Sequence, residues 1–254
     1  MMMNEYKNSL EGQVAFITGG AQGIGGAAAT AFARAGAKVY IVALGKEIID
    51  RKIAELKDEG LSADGCECDV TDYEGLCSAV ADCVEKFGQI DIVYSNAGVV
   101  LERKSVLESE PKLWKKTIEI NMLGGYYTVR AALPYMIKNP NGGKILFSGT
   151  GRGRRASANL SDYSCSKAGQ WMLARCLAEE LYEYNICVNE LIPGPVNTAL
   201  NDPGDGEKAN ADLAKTSEIN KDPMDLMELM LFVATQSNVT GPTGQAFALN
   251  RREL

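Results

Sequence analysis

The sequence of 254 residues contains no histidine. That excludes histidine-based triads, histidine-containing zinc sites and the side chain that ordinarily titrates near neutrality. Acid–base chemistry must here come from Tyr, Lys, Asp, Glu or Cys. No apolar run reaches the roughly 20 residues of a membrane-spanning helix. The start, Met1-Met2-Met3-Asn4-Glu5-Tyr6-Lys7, lacks the apolar core of a signal peptide. A cytoplasmic location with no membrane partner is therefore expected. Cationic excess is also missing: 33 Asp and Glu stand against 26 Lys and Arg, which argues against nucleic acid as a partner. The cysteines, at 66, 68, 77, 83, 165, 176 and 187, are odd in number and follow no framework spacing, as expected of reduced thiols. Cys66 and Cys68 are read as pointing to opposite faces of a strand, and no metal site is expected.

What is present is an alternation. With 46% hydrophobic residues the chain can bury a large core, and its length suits one α/β domain over 1–254. β-rich apolar runs at 13–18, 38–44, 63–68, 90–95, 144–148, 186–192 and 245–250 predict strands. Helices are predicted over 27–35, 46–59, a segment opened by Thr71 or Asp72 and ending at Phe87, 111–138, 161–184 and 224–235. Such an order predicts an α/β fold, a Rossmann-like doubly wound parallel sheet of about seven strands flanked by helices. Residues 199–222, polar and rich in Asn, Asp, Gly and Lys, read as a substrate lid.

Two motifs carry chemistry. The first strand runs into Gly19, Gly20, Gly23, Gly25 and Gly26 and then an alanine-rich helix. Strand, glycine turn and helix open a dinucleotide-binding unit, in which glycines admit a pyrophosphate to the unpaired N–H groups of the helix start. The second is Tyr163-Ser164-Cys165-Ser166-Lys167. Tyrosine and lysine four residues apart share a helix face, and an ammonium beside a phenol lowers the phenol pKa towards a useful acid–base value.

Thr18-Gly19-Gly20-Ala21-Gln22-Gly23-Ile24-Gly25, Asp69-Val70, Asn96-Ala97-Gly98, Asn121, Tyr163-x3-Lys167 and Pro193-Gly194-x3-Thr198 follow one another in the right order and at the right intervals. On these pieces the chain resembles the short-chain dehydrogenase/reductase family, single-domain type, over nearly its whole length. The resemblance implies an NAD(P)-dependent oxidoreductase that interconverts a secondary alcohol and a ketone, working as a homo-oligomer (dimer or tetramer). It makes Tyr163 the acid/base and gives Lys167 the ribose hydroxyls as well as the tyrosine pKa. Asn121 would hold a water reaching Lys167. Gly19, Gln22, Gly23, Ile24 and Gly25 would border the cofactor, with Asp69 and Val70 at adenine, Asn96, Ala97 and Gly98 beside them, and Pro193, Gly194, Val196 and Thr198 at the nicotinamide. A non-catalytic dinucleotide sensor and a lyase or epimerase using the same tyrosine are the alternatives.

Three places depart from the family or leave a choice. The family's serine thirteen residues before the tyrosine falls here on Thr150, with Ser148 the rival donor. The tail Asn250-Arg251-Arg252-Glu253-Leu254 replaces the usual Asp-Gly-Gly ending. Where NAD enzymes place an acidic residue after the second strand, the chain has Ala43, Leu44, Gly45 and Lys46. Lys46 could pair with a 2′-phosphate, which favours NADP(H), with NAD(H) the alternative. Finally, Arg152-Gly153-Arg154-Arg155 follows Thr150 directly. Arg152 and Arg154 are candidates for holding an anionic substrate group; a solvated loop or a subunit contact is the other reading.

Overall fold

The computed structural model describes residues 5–198 and 220–249. Most of the proposed lid and the tail from residue 250 therefore lie outside the described residues. Seven parallel strands form one sheet in the order β3-β2-β1-β4-β5-β6-β7. They are β1 Val14–Thr18, β2 Lys38–Ala43, β3 Ala63–Glu67, β4 Ile92–Ser95, β5 Gly143–Ser148, β6 Ile186–Ile192 and β7 Ala246–Ala248. Every residue of β1, β4, β5 and β6 is buried, as parallel strands covered on both faces require.

Side-chain alternation sorts these strands into two cores. Ala15, Ile17, Val39, Ile41, Ile92 and Tyr94 face α1 (Gly23–Arg34), α2 (Lys46–Asp58) and α7 (Met227–Ala234). Val14, Phe16, Tyr40, Val42, Val93, Ile145 and Phe147 face α3 (Tyr73–Phe87), α5 (Gly124–Met136) and α6 (Ser161–Glu180). Cys66 and Cys68 both pack on this second core. The expectation that they point to opposite faces is corrected, because residues two apart in a pleated strand lie on the same face. All seven cysteines are free thiols.

Of the two candidate caps for α3, Asp72 is the one used; its carboxylate accepts from the Gly75 N–H at 3.0 Å. The long helix expected over 111–138 is interrupted. Here α4 (Pro111–Ile118) passes into a π-turn, Glu119–Leu123, before α5 begins at Gly124. The extra residue in that turn swings Asn121 into the interior, where it is fully buried. No described helix is long and apolar enough to cross a membrane.

Candidate active site

The chain leaves β1 towards β2 on one side and returns to β4 on the other, so the C-terminal ends of β1 and β4 diverge into a crevice, the usual ligand position in such sheets. The cleft there has a volume of about 1090 Å³. Gly19, Gln22, Gly23 and Ile24 of the first turn line it, with Asp69 and Val70 after β3, Asn96, Ala97 and Gly98 after β4, and Thr150 and Arg152 after β5. Tyr163 and Lys167 enter from α6, and Pro193, Gly194, Val196 and Thr198 from the segment after β6. Gly25 lies beneath: a Cβ there would overlap the Gly19 carbonyl oxygen, so glycine lets α1 start directly under the turn. A cradle of backbone this close to a helix start fits a pyrophosphate.

Asn96 ties the turn to the central strands. Its amide nitrogen donates to the carbonyls of Thr18 and Gly19 at 3.2 and 3.3 Å, and its Oδ1 accepts from Ser148 Oγ at 2.8 Å. Ser148 also meets the Tyr94 hydroxyl at 2.7 Å. The Ser148 hydroxyl is therefore spent on bracing the strands, whereas Thr150 forms a side-chain hydrogen bond with Tyr163.

Tyr163 is buried, and burial pushes its phenol above the ordinary value. The Arg152 guanidinium, the Thr150 hydrogen bond and Arg103 pull it down again, while Glu190 opposes them. Lys167, one turn along α6 from Tyr163, is buried, and its ammonium donates to the Ser148 carbonyl at 2.8 Å and to Gln170 Oε1 at 2.9 Å. Burial pushes Lys167 down to about 8, against the field of Glu190. Burial thus dominates the phenol, and the arginines that offset part of it lie outside the motif.

Asn121 does not line the cleft. Its Oδ1 accepts from the Val99 N–H at 2.7 Å, and its Nδ2 donates to the Val99 carbonyl at 2.9 Å and to Ser166 Oγ at 3.1 Å. Its own carbonyl accepts from Gln170 Nε2 at 3.1 Å. The side chain thereby fixes the segment after β4 against α6, and Gln170 joins the Asn121 carbonyl to Lys167 directly.

Two expected binding residues are elsewhere. Lys46 is not among the residues that line the cleft; its ammonium is 2.7 Å from Asp50 one helical turn on. Arg154 turns inward: Nη2 is 2.5 Å from Glu190 Oε2, and the guanidinium lies 4.9 Å from the Trp171 ring centroid. Without it the carboxylate buried in β6 would lose its nearest compensating charge. Gln170, Glu190 and Arg103 are participants that the sequence reading missed. For Glu190 a signal existed, a lone charge inside the apolar run 186–192.

Residues 13–208 match the family model described as short chain dehydrogenase. The chain is 32% identical over 234 residues to the 2,5-dichloro-2,5-cyclohexadiene-1,4-diol dehydrogenase of Sphingobium indicum, covering 90% of this chain and 91% of that one. It is 32% identical over 246 residues to the trans-4-hydroxycyclohexanecarboxylate dehydrogenase of Sinomonas cyclohexanicum, covering 93% and 91%. Among solved structures, a blue fluorescent protein from a metagenomic library in complex with NADPH superposes with a TM-score of 0.85 at 28% identity, covering 95% of this chain and 98% of that one.

Proposed function

The chain belongs to the short-chain dehydrogenase/reductase family, as an NAD(P)-dependent oxidoreductase of CH–OH groups, and on that premise we propose how its own residues carry the reaction. One domain over 1–254 interconverts a secondary alcohol and its ketone with Tyr163 as acid/base. The observation that carries this reading is the Tyr163 phenol hydrogen-bonded to Thr150 in the cleft, in the field of Arg152 and Arg103.

The nicotinamide cofactor, when bound, supplies or takes the hydride. Gly19 to Gly25 would receive its pyrophosphate at the start of α1, Asp69 and Val70 its adenine, and Pro193, Gly194, Val196 and Thr198 its nicotinamide. Lys167 would reach the ribose hydroxyls. In ketone reduction Tyr163 gives its phenolic proton to the carbonyl oxygen while the Thr150 hydroxyl donates to the same atom. In alcohol oxidation the proton returns to Tyr163. The relatives named for a cyclohexadiene-diol and a hydroxycyclohexanecarboxylate support six-membered ring alcohols as first substrates. Oxidation of such alcohols should be seen as the absorbance of reduced nicotinamide accumulating. Turnover without net reduced cofactor would favour the lyase or epimerase alternative.

Thr150→Ala is expected to lower kcat roughly ten- to a thousandfold, as when one donor to a developing oxyanion is lost, and Thr150→Ser should stay active. Ser148→Ala should act on thermal stability instead, because it removes the strut between Asn96 and Tyr94. A larger kcat loss for Ser148→Ala than for Thr150→Ala would reverse the two roles.

Cofactor preference also has a structural argument. Lys46, the basis for favouring NADP(H), is paired with Asp50. The Gly45 N–H at the start of α2 donates to Glu67 Oε1 at 2.7 Å, and Glu67 lies beside Ala43 in the β2–β3 register. A carboxylate from the neighbouring strand thus stands where the second strand itself offers none. It would repel a 2′-phosphate and can accept from a ribose hydroxyl. NAD+ should bind at least about tenfold more tightly than NADP+ by calorimetry, a difference of about 1.4 kcal/mol, and Glu67→Gln should narrow the gap. Tighter binding of NADP+ by the parent protein would restore the preference read from Lys46.

A further inference from the structure

We propose that Gln170 is a positioning residue for the cofactor: its buried amide, anchored on the Asn121 carbonyl, holds the Lys167 ammonium so that it presents one N–H to the cofactor ribose. This rests on the oxidoreductase reading above, in which Lys167 reaches the ribose hydroxyls, and names the group that aims it.

At Gln170 the buried face of α6 changes character. Beyond it the face is apolar, with Ala174, Leu177 and Ala178 in the second core. Gln170 itself is 2% exposed, and a buried amide is costly unless its hydrogen bonds are made. Both of its ends are used. Nε2 donates to the Asn121 carbonyl at 3.1 Å, and Oε1 accepts from Lys167 Nζ, one turn back, at 2.9 Å. The amide can stand only this way round, because the reverse would set oxygen against carbonyl and N–H against ammonium. A water between the same two groups could turn; the amide has a fixed donor end and a fixed acceptor end.

Its anchor is fixed as well. The Asn121 side chain is tied to Val99 and to Ser166 Oγ, which in turn donates to the Tyr163 carbonyl at 2.7 Å. On α5, Gly125 leaves the amide its room. A Cβ there would come 2.8 Å from Gln170 Nε2, while its next neighbours, Ser95 Oγ and Phe147, lie at 3.4 and 3.5 Å.

An ammonium has three N–H groups. The Ser148 carbonyl takes one and Gln170 a second, so at most one is left for the cleft that Lys167 lines. With the Ser148 carbonyl alone, the ammonium could swing about that bond. The second acceptor fixes its direction.

Calorimetric titration with NAD+, or with NADP+ where that binds more tightly, tests this without turnover. Gln170→Met keeps the unbranched shape and removes both bonds. Gly125→Ala leaves Gln170 in place and drives its amide off its partners, and alanine in a helix interior favours the fold. Each should weaken nucleotide binding at least about tenfold, as when a charged group loses a hydrogen bond, and Gly125→Ala should unfold no earlier than the parent. In Lys167→Ala protein the same two changes should alter Kd less than about twofold, because the group they aim is gone. Parental affinity in Gly125→Ala, or losses equally large with and without Lys167, would overturn the assignment, whether or not Gln170→Met folds. Weakened binding in a protein that oxidises no alcohol would keep the positioning of Lys167 and refute the catalytic reading. Turnover of alcohols with parental affinity in both variants would do the opposite. No binding of either nucleotide to the parent would overturn both.

Discussion

Tyr163→Phe is expected to fold, to bind NAD+ as the parent does, and to lose turnover by roughly a hundred- to ten-thousandfold, the contribution of a positioned general acid–base group. Phenylalanine keeps the ring that α6 buries and removes only the hydroxyl shared with Thr150. A loss in kcat with an unchanged cofactor Kd would separate proton transfer from binding. Lys167→Ala should behave differently and weaken cofactor binding as well, because its buried ammonium is aimed into the cleft from the Ser148 carbonyl and Gln170. A Tyr163→Phe enzyme with near-parental kcat would remove the phenol from the mechanism.

The sheet was legible because its strands alternate with helices in composition and because β1, β4, β5 and β6 are largely apolar runs buried on both faces. The glycine turn and the Tyr163–Lys167 helix were legible for a similar reason: each is local, with its partners a few residues away. What escaped depends on contacts distant in sequence. The π-turn at Glu119–Leu123 is stabilised by bonds from Asn121 to Val99 and Ser166, far apart in the chain. Nothing in the helical periodicity of 111–138 encodes it. Arg154 sits among arginines that line the cleft, and only its partner 36 residues on decides that it turns inward. Lys46 is the opposite case: Asp50, one turn along the same helix, was readable as its partner. Gln170 was readable in part, since it stands one turn from Lys167 on a face that is buried.

Arg154→Met is expected to be the most destabilising single change near the site. Glu190 is 4% exposed and Arg154 15% exposed, and their contact is 2.5 Å. Removing the cation leaves a buried carboxylate facing the Thr150 N–H and the Lys167 ammonium alone. Breaking such a pair costs about 3–5 kcal/mol, which for a chain of this size lowers Tm on the order of 10 °C. The sign of the pH dependence follows from Glu190, whose carboxyl burial holds above the ordinary carboxylate value. A raised carboxyl pKa favours the fold below the unfolded value, and that advantage is lost as pH rises through the folded value. Without Arg154 the folded value rises further. The deficit of Arg154→Met should therefore be large at neutral pH and shrink as the medium is acidified and Glu190 takes a proton. Glu190→Gln keeps the shape that Gly149 leaves room for, where any Cβ would overlap the carboxylate, and should cost less. Joined with Arg154→Met it should recover most of the lost stability, because the uncompensated charge is gone. Glu190→Gln also removes the field that raises Lys167, so any alkaline loss of kcat/KM near pH 8 should move to lower pH. Equal stability of all three variants, or an Arg154→Met deficit indifferent to pH, would make this pair an ordinary packing contact and leave the position of Thr150 to the strand alone.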